Sequence, residues 1–232
     1  MKKLLILGAM EMHVPLIKRA KELGIYTITC DYIPENPGHK IADEAYFDST
    51  TDLEAVLNLA KRLKVDGIMT YNSDPAAATA AYVAEKLGLS GNPYEAVKIM
   101  SEKNLFRDFL YKNGLNVPKF GNFSDAADVE KHLDDFSLPV IIKPVDSSGS
   151  KGVTVIYDKE KVKEAVEVAL SKSRCKKFIV EEYIEPEGRQ LHGDGFVENG
   201  NVSFLYLGDH HFDEKINNLV PYSTTYPTEH SA

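Results

Sequence analysis

The sequence predicts an α/β protein. A doubly wound parallel sheet comes first, then a smaller mixed α/β unit, then the beginning of a further sheet. Three observations predict this. β-rich runs alternate with helical patterns as far as Gly88. After Asn92-Pro93 that alternation gives way to two successive helices and then to short mixed elements. Within the mixed part, an apolar run ends in Lys143, passes through a Ser/Gly-rich loop and returns at once as a second β-rich run. Repeated βα units imply parallel strands with helices on both faces, and ligands of such sheets gather at the carboxyl ends of the strands.

In chain order, residues 3–8 read as a strand and 14–23 as a helix closed by Gly24. Residues 26–32 (YTITCDY) are β-rich, and 45–48 form a short strand. Asp52 caps a helix running to Leu63; 67–71 is a strand; Asp74-Pro75 opens a helix that Gly88 ends. The helices predicted next are 94–100 and 103–112, the second broken by Asn113-Gly114. Strands are expected at 117–123, 139–145, 153–157 and 178–184, and helices at 125–135 and 158–171, with Ser124 and Asp158 as N-caps. Glu185-Pro186-Glu187-Gly188 reads as a hinge. A hairpin of 191–198 and 202–207 follows, turned by Asn199-Gly200. The tail from Pro221 is turn-rich and polar.

Composition bounds the function. With 232 residues the chain holds one large or two small domains, and 43% hydrophobic and 27% charged residues are ordinary for a globular protein. A net charge of −8 argues against nucleic acid or an anionic membrane as the main partner, while leaving room for local positive charge at a nucleotide. The apolar runs are too short to span a bilayer, and Met1-Lys2-Lys3 leads into a buried first strand rather than a signal peptide. Cys30 and Cys175 lie far apart outside any C-x-x-C and read as reduced thiols of a cytoplasmic protein. The first strand ends in Gly8-Ala9-Met10-Glu11-Met12-His13, which lacks the later glycines of a dinucleotide fingerprint and so disfavours an NAD enzyme.

The chemistry concentrates in two stretches. In 138–152, LPVIIKPVDSSGSKG, small residues let backbone N–H groups close around an anion while Lys143 and Lys151 supply charge. The spacing is not that of a P-loop, and a strand rather than a helix follows. In 178–184, FIVEEYI, Glu181 and Glu182 follow an apolar run; alternation puts them on opposite faces, so one is free to serve a ligand and the other to be merely exposed. An ordinary hairpin and a plain strand end would explain either stretch by itself; together they make a nucleotide site.

On these residues, with KKLLILGA at the N-terminus, SEKNLFR at 101–107, Gly188-Arg189-Gln190 and GDGF at 193–196, the chain resembles the ATP-grasp superfamily. The branch resembled includes carbamoyl-phosphate synthase large subunits, biotin carboxylases and related carboxylate–amine ligases. The resemblance implies a Rossmann-like pre-ATP-grasp domain at 1–97, a helical linker at 98–116, a lid subdomain at 117–184 and an incomplete large subdomain from 185 to 232. It implies an enzyme that makes an acyl phosphate from a carboxylate and ATP and passes the acyl group to an amine. Lys143 and Lys103 would approach the phosphates. Ser147, Ser148, Gly149, Ser150 and Gly152 would close over them as a lid. Glu181, Glu182, Tyr183 and Ile184 would meet the adenine and ribose side, and Gln190 stands near the place of the family's ribose-binding Glu.

Substrate roles are expected for Asn72, Ser73 and Asp74 at the end of the fourth strand, where a plain helix cap is the alternative, and for His192 and Asp194 on one strand face. Asp209-His210-His211-Phe212-Asp213 gathers metal-ligand types, but alternation sends His210 and His211 to opposite faces, so no metal site is expected there. No catalytic residue is assigned. The family's Mg²⁺ ligands are an acidic residue and an E-x-N pair; no E-x-N occurs after Phe212, and the stretch from Pro221 to Ala232 holds one acidic residue, Glu229. The sequence thus reads as the front portion of a ligase, inactive alone, with small-molecule carboxylate and amine substrates, no nucleic-acid or membrane partner, and a homodimer left open. The alternative is a non-catalytic nucleotide-binding module or a fragment completed by another chain.

Overall fold

A computed structural model describes residues 1–213 and 215–230 of the chain. Two compact units divide it, residues 1–117 and 118–232. Among the described residues, no helix is long and apolar enough to cross a membrane.

The first unit is built from β1 (Lys3–Leu7), α1 (Val14–Glu22), β2 (Tyr26–Cys30), α2 (Pro37–Ile41), β3 (Glu44–Tyr46), α3 (Leu53–Leu63), β4 (Gly67–Thr70), α4 (Asp74–Leu87), α5 (Tyr94–Ser101) and α6 (Lys103–Lys112). The strands form one parallel sheet in the order β3-β2-β1-β4. Leu5, Leu7, Ile28, Cys30 and Ile68 pack against Val56, Leu59 and Ala60 of α3 and Ala76, Ala80 and Val83 of α4. Asp52 caps α3 by accepting from Ala55 N at 3.0 Å, and Gly88 ends α4 in the left-handed region. Burial pushes the Cys30 thiol up to about 12, so it is an inert packing group.

The end of β1 shows in physical terms why the dinucleotide fingerprint is missing. Gly8 has φ +114°, and a Cβ there would lie 2.2 Å from His13 Nε2. The imidazole, 2% exposed, fills the space beneath the strand end that a pyrophosphate-binding turn leaves open. Burial lowers its pKa against the pull of Asp31, whose carboxylate accepts from Ala9 N at 3.0 Å. α2 was not foreseen; Pro37 opens it, and Gly38 N donates to Ala9 O at 2.7 Å.

The second unit contains β5 (Phe120–Phe123), α7 (Ala126–His132), β6 (Val140–Pro144), β7 (Thr154–Ile156), α8 (Val162–Lys172), β8 (Phe178–Glu182), β9 (Gln190–Glu198), β10 (Asn201–His211) and β11 (Ser223–Thr225). Its first sheet is antiparallel in the order β5-β8-β6-β7, and its second is β11-β10-β9. Val140, Ile142, Ile156, Phe178 and Val180 line one face of the first sheet against Val129 of α7 and Val162, Ala165, Val166 and Ala169 of α8. The cap of α7 is Asp125, accepting from Asp128 N at 2.8 Å, one residue beyond the predicted Ser124. β10 runs four residues further than predicted, and β11 lies in the stretch read as a polar tail.

Asp209, fully buried in β10, ties that tail down. It accepts from Thr228 Oγ1 at 2.5 Å and Glu229 N at 2.8 Å, with Arg189 at 3.9 Å. The Thr228 hydroxyl and the Glu229 N–H hold its carboxyl below the usual carboxylate range. A carboxyl whose folded pKa is depressed stabilises above its unfolded value, about 3.9, and loses that contribution as pH falls through the folded one. Asp209→Asn is therefore expected to lower Tm at pH 6, and the gap from the native chain to shrink progressively below about pH 4. A gap that stays constant down to pH 2 would remove this role from Asp209.

Candidate nucleotide site

The site lies on the face of the first antiparallel sheet opposite the helices. Strand period two puts Val140, Ile142 and Pro144 of β6 on the helix side, so Ile141 and Lys143 point away from it. In β8, Phe178 and Val180 share the helix side and Ile179 and Glu181 the other. The register pairs Ile141 with Glu181 and Lys143 with Ile179, making Lys143 and Glu181 diagonal neighbours. Lys143 Nζ donates to Glu181 Oε2 at 2.6 Å; the side chains are 14% and 3% exposed. Glu182 turns the other way and accepts from Ser137 N at 2.9 Å. The two adjacent glutamates thus separate: one faces the lysine, the other fastens the turn before β6.

The loop between β6 and β7 is held at both ends. Asp146 accepts from the N–H groups of Arg174 and Cys175, both at 2.9 Å, and the Arg174 guanidinium donates to Asp146 O at 2.7 Å. Burial works to raise the Asp146 pKa, but the hydrogen bonds from Cys175 and Ser173 outweigh it and the net shift is downward. Ser147 Oγ donates to Lys151 O at 2.9 Å, which closes the turn on itself. At its far side Ser150, with φ +54°, donates through Oγ to Leu219 O at 2.7 Å. Ser148, Gly149 and Gly152 lie in the same turn. The Asp146–Arg174 clasp was not foreseen from the sequence; its signal, an Asp just before the serines and an Arg about thirty residues on, is too diffuse to read without the fold.

Tyr183 N donates to Pro139 O at 2.9 Å, and the chain then leaves the sheet, so that Ile184 is 70% exposed. Gln190 opens β9, exposed, in register with His210. His192 and Asp194 share one face of β9, with Nε2 and Oδ2 3.3 Å apart. Asn72, Ser73 and Asp74 stand at the carboxyl edge of the first unit's sheet, where Ser73 is the N-cap of α4 without a side-chain cap bond, and Lys103 opens α6. The structure therefore brings Lys143, Glu181, the 147–152 loop and Tyr183–Ile184 together around one sheet, while His192 and Asp194 belong to the next sheet and Asn72–Asp74 and Lys103 to the first unit. Among the described residues, no group of three or more His, Cys, Asp and Glu side chains is placed to hold a metal ion.

This arrangement has counterparts. Residues 108–188 match the model of the ATP-grasp domain. Those residues thus carry an ATP-grasp domain. It is 29% identical over 188 residues to formate-dependent phosphoribosylglycinamide formyltransferase of Prochlorococcus marinus (strain NATL2A), a match covering 79% of this chain and 48% of that protein. It is 22% identical over 213 residues to the C-terminal section of the carbamoyl phosphate synthase large chain of Aquifex aeolicus (strain VF5), covering 88% of this chain and 39% of the other. Among solved structures, L-amino acid ligase from Bacillus licheniformis superimposes with a TM-score of 0.71 at 26% identity, covering 92% of this chain and 52% of that one. The chain spans about half the length of the curated relatives it matches.

The Lys143–Glu181 pair yields a test of the site's construction. Lys143→Met is expected to destabilise the second unit by about 3 kcal/mol, because it takes from a buried carboxylate the cation that donates to it. Adding Glu181→Leu is expected to restore most of the loss, since paired buried charges gain little over apolar residues of similar size. Denaturant titration of both variants checks this; a double variant as unstable as the sum of the singles would show that the two side chains are not coupled.

Proposed function

We propose that the chain is the ATP-binding portion of an ATP-dependent carboxylate–amine ligase working through an acyl phosphate. The observation that carries this reading is the Lys143–Glu181 pair, set on the face of a sheet away from its helices beside a clamped Ser/Gly loop, within the residues that match the ATP-grasp domain. A lysine so placed can exchange its carboxylate contact for a phosphate oxygen, and the loop's N–H groups can close over the same anion. The exposed strand end at Tyr183–Ile184 offers backbone groups and an apolar side chain to the adenine edge. Ring nitrogens and an exocyclic amine need such in-plane partners.

The substrates in this reading are small: ATP, a carboxylate and an amine. The nucleotide is proposed to arrive with Mg²⁺; a biotin carboxylase domain of the Hydrogenobacter thermophilus 2-oxoglutarate carboxylase, which shares this fold with a TM-score of 0.65, was solved with MgADP. The described residues do not form a cage for that ion. The reading also includes action in the cytoplasm and, in the complete enzyme, a homodimer.

Two measurements test it. Calorimetry with ADP is expected to show at least about tenfold weaker binding by Lys143→Ala, the loss of one charge-assisted hydrogen bond; unchanged affinity in a folded variant would sink the assignment. Amide exchange in residues 147–152 is expected to be fast in the free chain and to slow on adding ATP. Equal protection in both states would mean that the loop does not close on phosphate.

A further inference from the structure

The second sheet of this unit carries an aromatic ladder that the nucleotide reading leaves unused. Strand alternation divides β9 and β10 into two faces. Leu191, Leu205 and Leu207 share one with Asp209, while His192, Asp194, Tyr206 and His210 share the other. On that second face Phe204, Tyr206, Tyr226, His192, His210 and Phe212 follow one another as ring neighbours. Their centroid separations are 6.1, 4.7, 6.3, 4.4 and 6.0 Å in that order. The ladder depends on a gap. Gly208 stands opposite His192, and a Cβ there would lie 2.6 Å from Tyr226 Cδ1. Because position 208 has no side chain, Tyr226, just past β11, has room to bridge Tyr206 to His192.

The charge of this sheet decides what it would take. Its three strands contain no Lys or Arg; Asp194 and Glu198 lie on the ladder's face, while Asp209 is buried on the other. The first sheet of the same unit carries Lys143 and leads into Lys151. An anion is served by the first; exposed tyrosine faces beside a carboxylate suit a cation. Within the ladder, His192 Nε2 is turned to Asp194 Oδ2 at 3.3 Å. An ionised carboxylate only accepts, so Nε2 is the donor of this contact, and in the neutral imidazole the lone pair is then on Nδ1. His210 is fixed by Thr224 Oγ1 at 2.9 Å from its Nδ1, and burial lowers its pKa. The two imidazoles lie tilted against each other, their planes 31° apart, rather than converging on a point, which is not the geometry of a metal site.

Resting on the ligase reading, we propose that this ladder is the binding site of the amine nucleophile and that His192 Nδ1 is its proton acceptor. The ammonium form is held over the Tyr226 and Tyr206 rings near Asp194 and gives up one proton to solvent. The free amine's lone pair then attacks the carbonyl carbon of the acyl phosphate. The C–N bond forms, the nitrogen's surplus proton passes to Nδ1 of His192, and the C–O bond to phosphate breaks, inorganic phosphate leaving with that electron pair. The Asp194 carboxylate holds the imidazolium until it releases the proton to water.

The test uses the full chain with ¹³C,¹⁵N-labelled histidine and tyrosine, titrated at pH 7 with benzylamine and, separately, with benzoate. Benzylamine is expected to move the Tyr226 ring and His192 Nδ1 signals saturably while Nε2 stays protonated, and benzoate to move neither. Tyr226→Leu is expected to weaken benzylamine binding at least about threefold, as loss of a cation–π contact does. Should that variant not fold, Phe204→Leu at the ladder's end and the native titrations still decide. An ADP titration in parallel, read at the amides of 181–183, separates the two ideas. ADP binding with no benzylamine response, or a benzoate response in its place, overturns the amine site. A benzylamine response without ADP binding supports the amine site and counts against the nucleotide reading instead.

Discussion

The chemistry of the second unit depends on one constraint: a lysine must face outward from a sheet whose other face is sealed. Val140, Ile142, Phe178 and Val180 are fully buried against α7 and α8, and they fix the pairing of β6 with β8. A slip of one residue would turn Lys143 and Glu181 into that apolar core and bring Val140, Ile142, Phe178 and Val180 out. Burying two charges there costs several kcal/mol for each ion, so the core specifies the register and the register delivers the ion pair. The pair in turn keeps Lys143 ready: bound to Glu181 at 2.6 Å, it stays extended along the sheet rather than free in solvent.

The same unit places its cations unevenly. Lys143, Lys151 and Arg174 lie around the first sheet and its loop, with Glu181 and Asp146 as partners of Lys143 and Arg174. The strands of the second sheet contain no Lys or Arg and offer carboxylates and ring faces. A reaction that joins an activated carboxylate to an amine must hold a polyanion and a cation without letting either occupy the other's place. A surface with lysines and one without suit these two charges differently. The net charge of −8 says nothing of this partition, because it is a sum over both.

Much of this was legible in the sequence. Elements with firm caps were readable within a residue or two, α3 from Asp52 and α4 from Asp74-Pro75 to Gly88, and so was the turn of the β9–β10 hairpin at Asn199-Gly200, both of which adopt positive φ. The lysine at the end of an apolar strand and the alternation of Glu181 and Glu182 were readable too, because each follows from period two alone. What escaped depends on long-range contact. α2 has five residues and no periodicity to detect, and β11 has three and exists by pairing with β10. The clasp of Asp146 on Arg174 and the ring ladder join positions 28 residues apart or on three strands, and no local pattern encodes such meetings.

The buried carboxylate of Asp209 and the ladder on the opposite face are parts of one device. A strand of three residues cannot hold a tyrosine in place unaided. Tyr226 sits just past β11, and the chain beyond it is fastened by Thr228 N to Leu207 O at 3.0 Å and by the two hydrogen bonds that Asp209 accepts from Thr228 and Glu229. Those anchors lie on either side of Gly208 in β10, the residue whose missing side chain admits the Tyr226 ring. The polar latch below the strand therefore sets the position of the ring above it, and the carboxylate acts on His192 through Tyr226 without touching it. Asp209 is on this account a positioning residue, and the glycine between two well-anchored neighbours is what turns a backbone clamp into a binding surface.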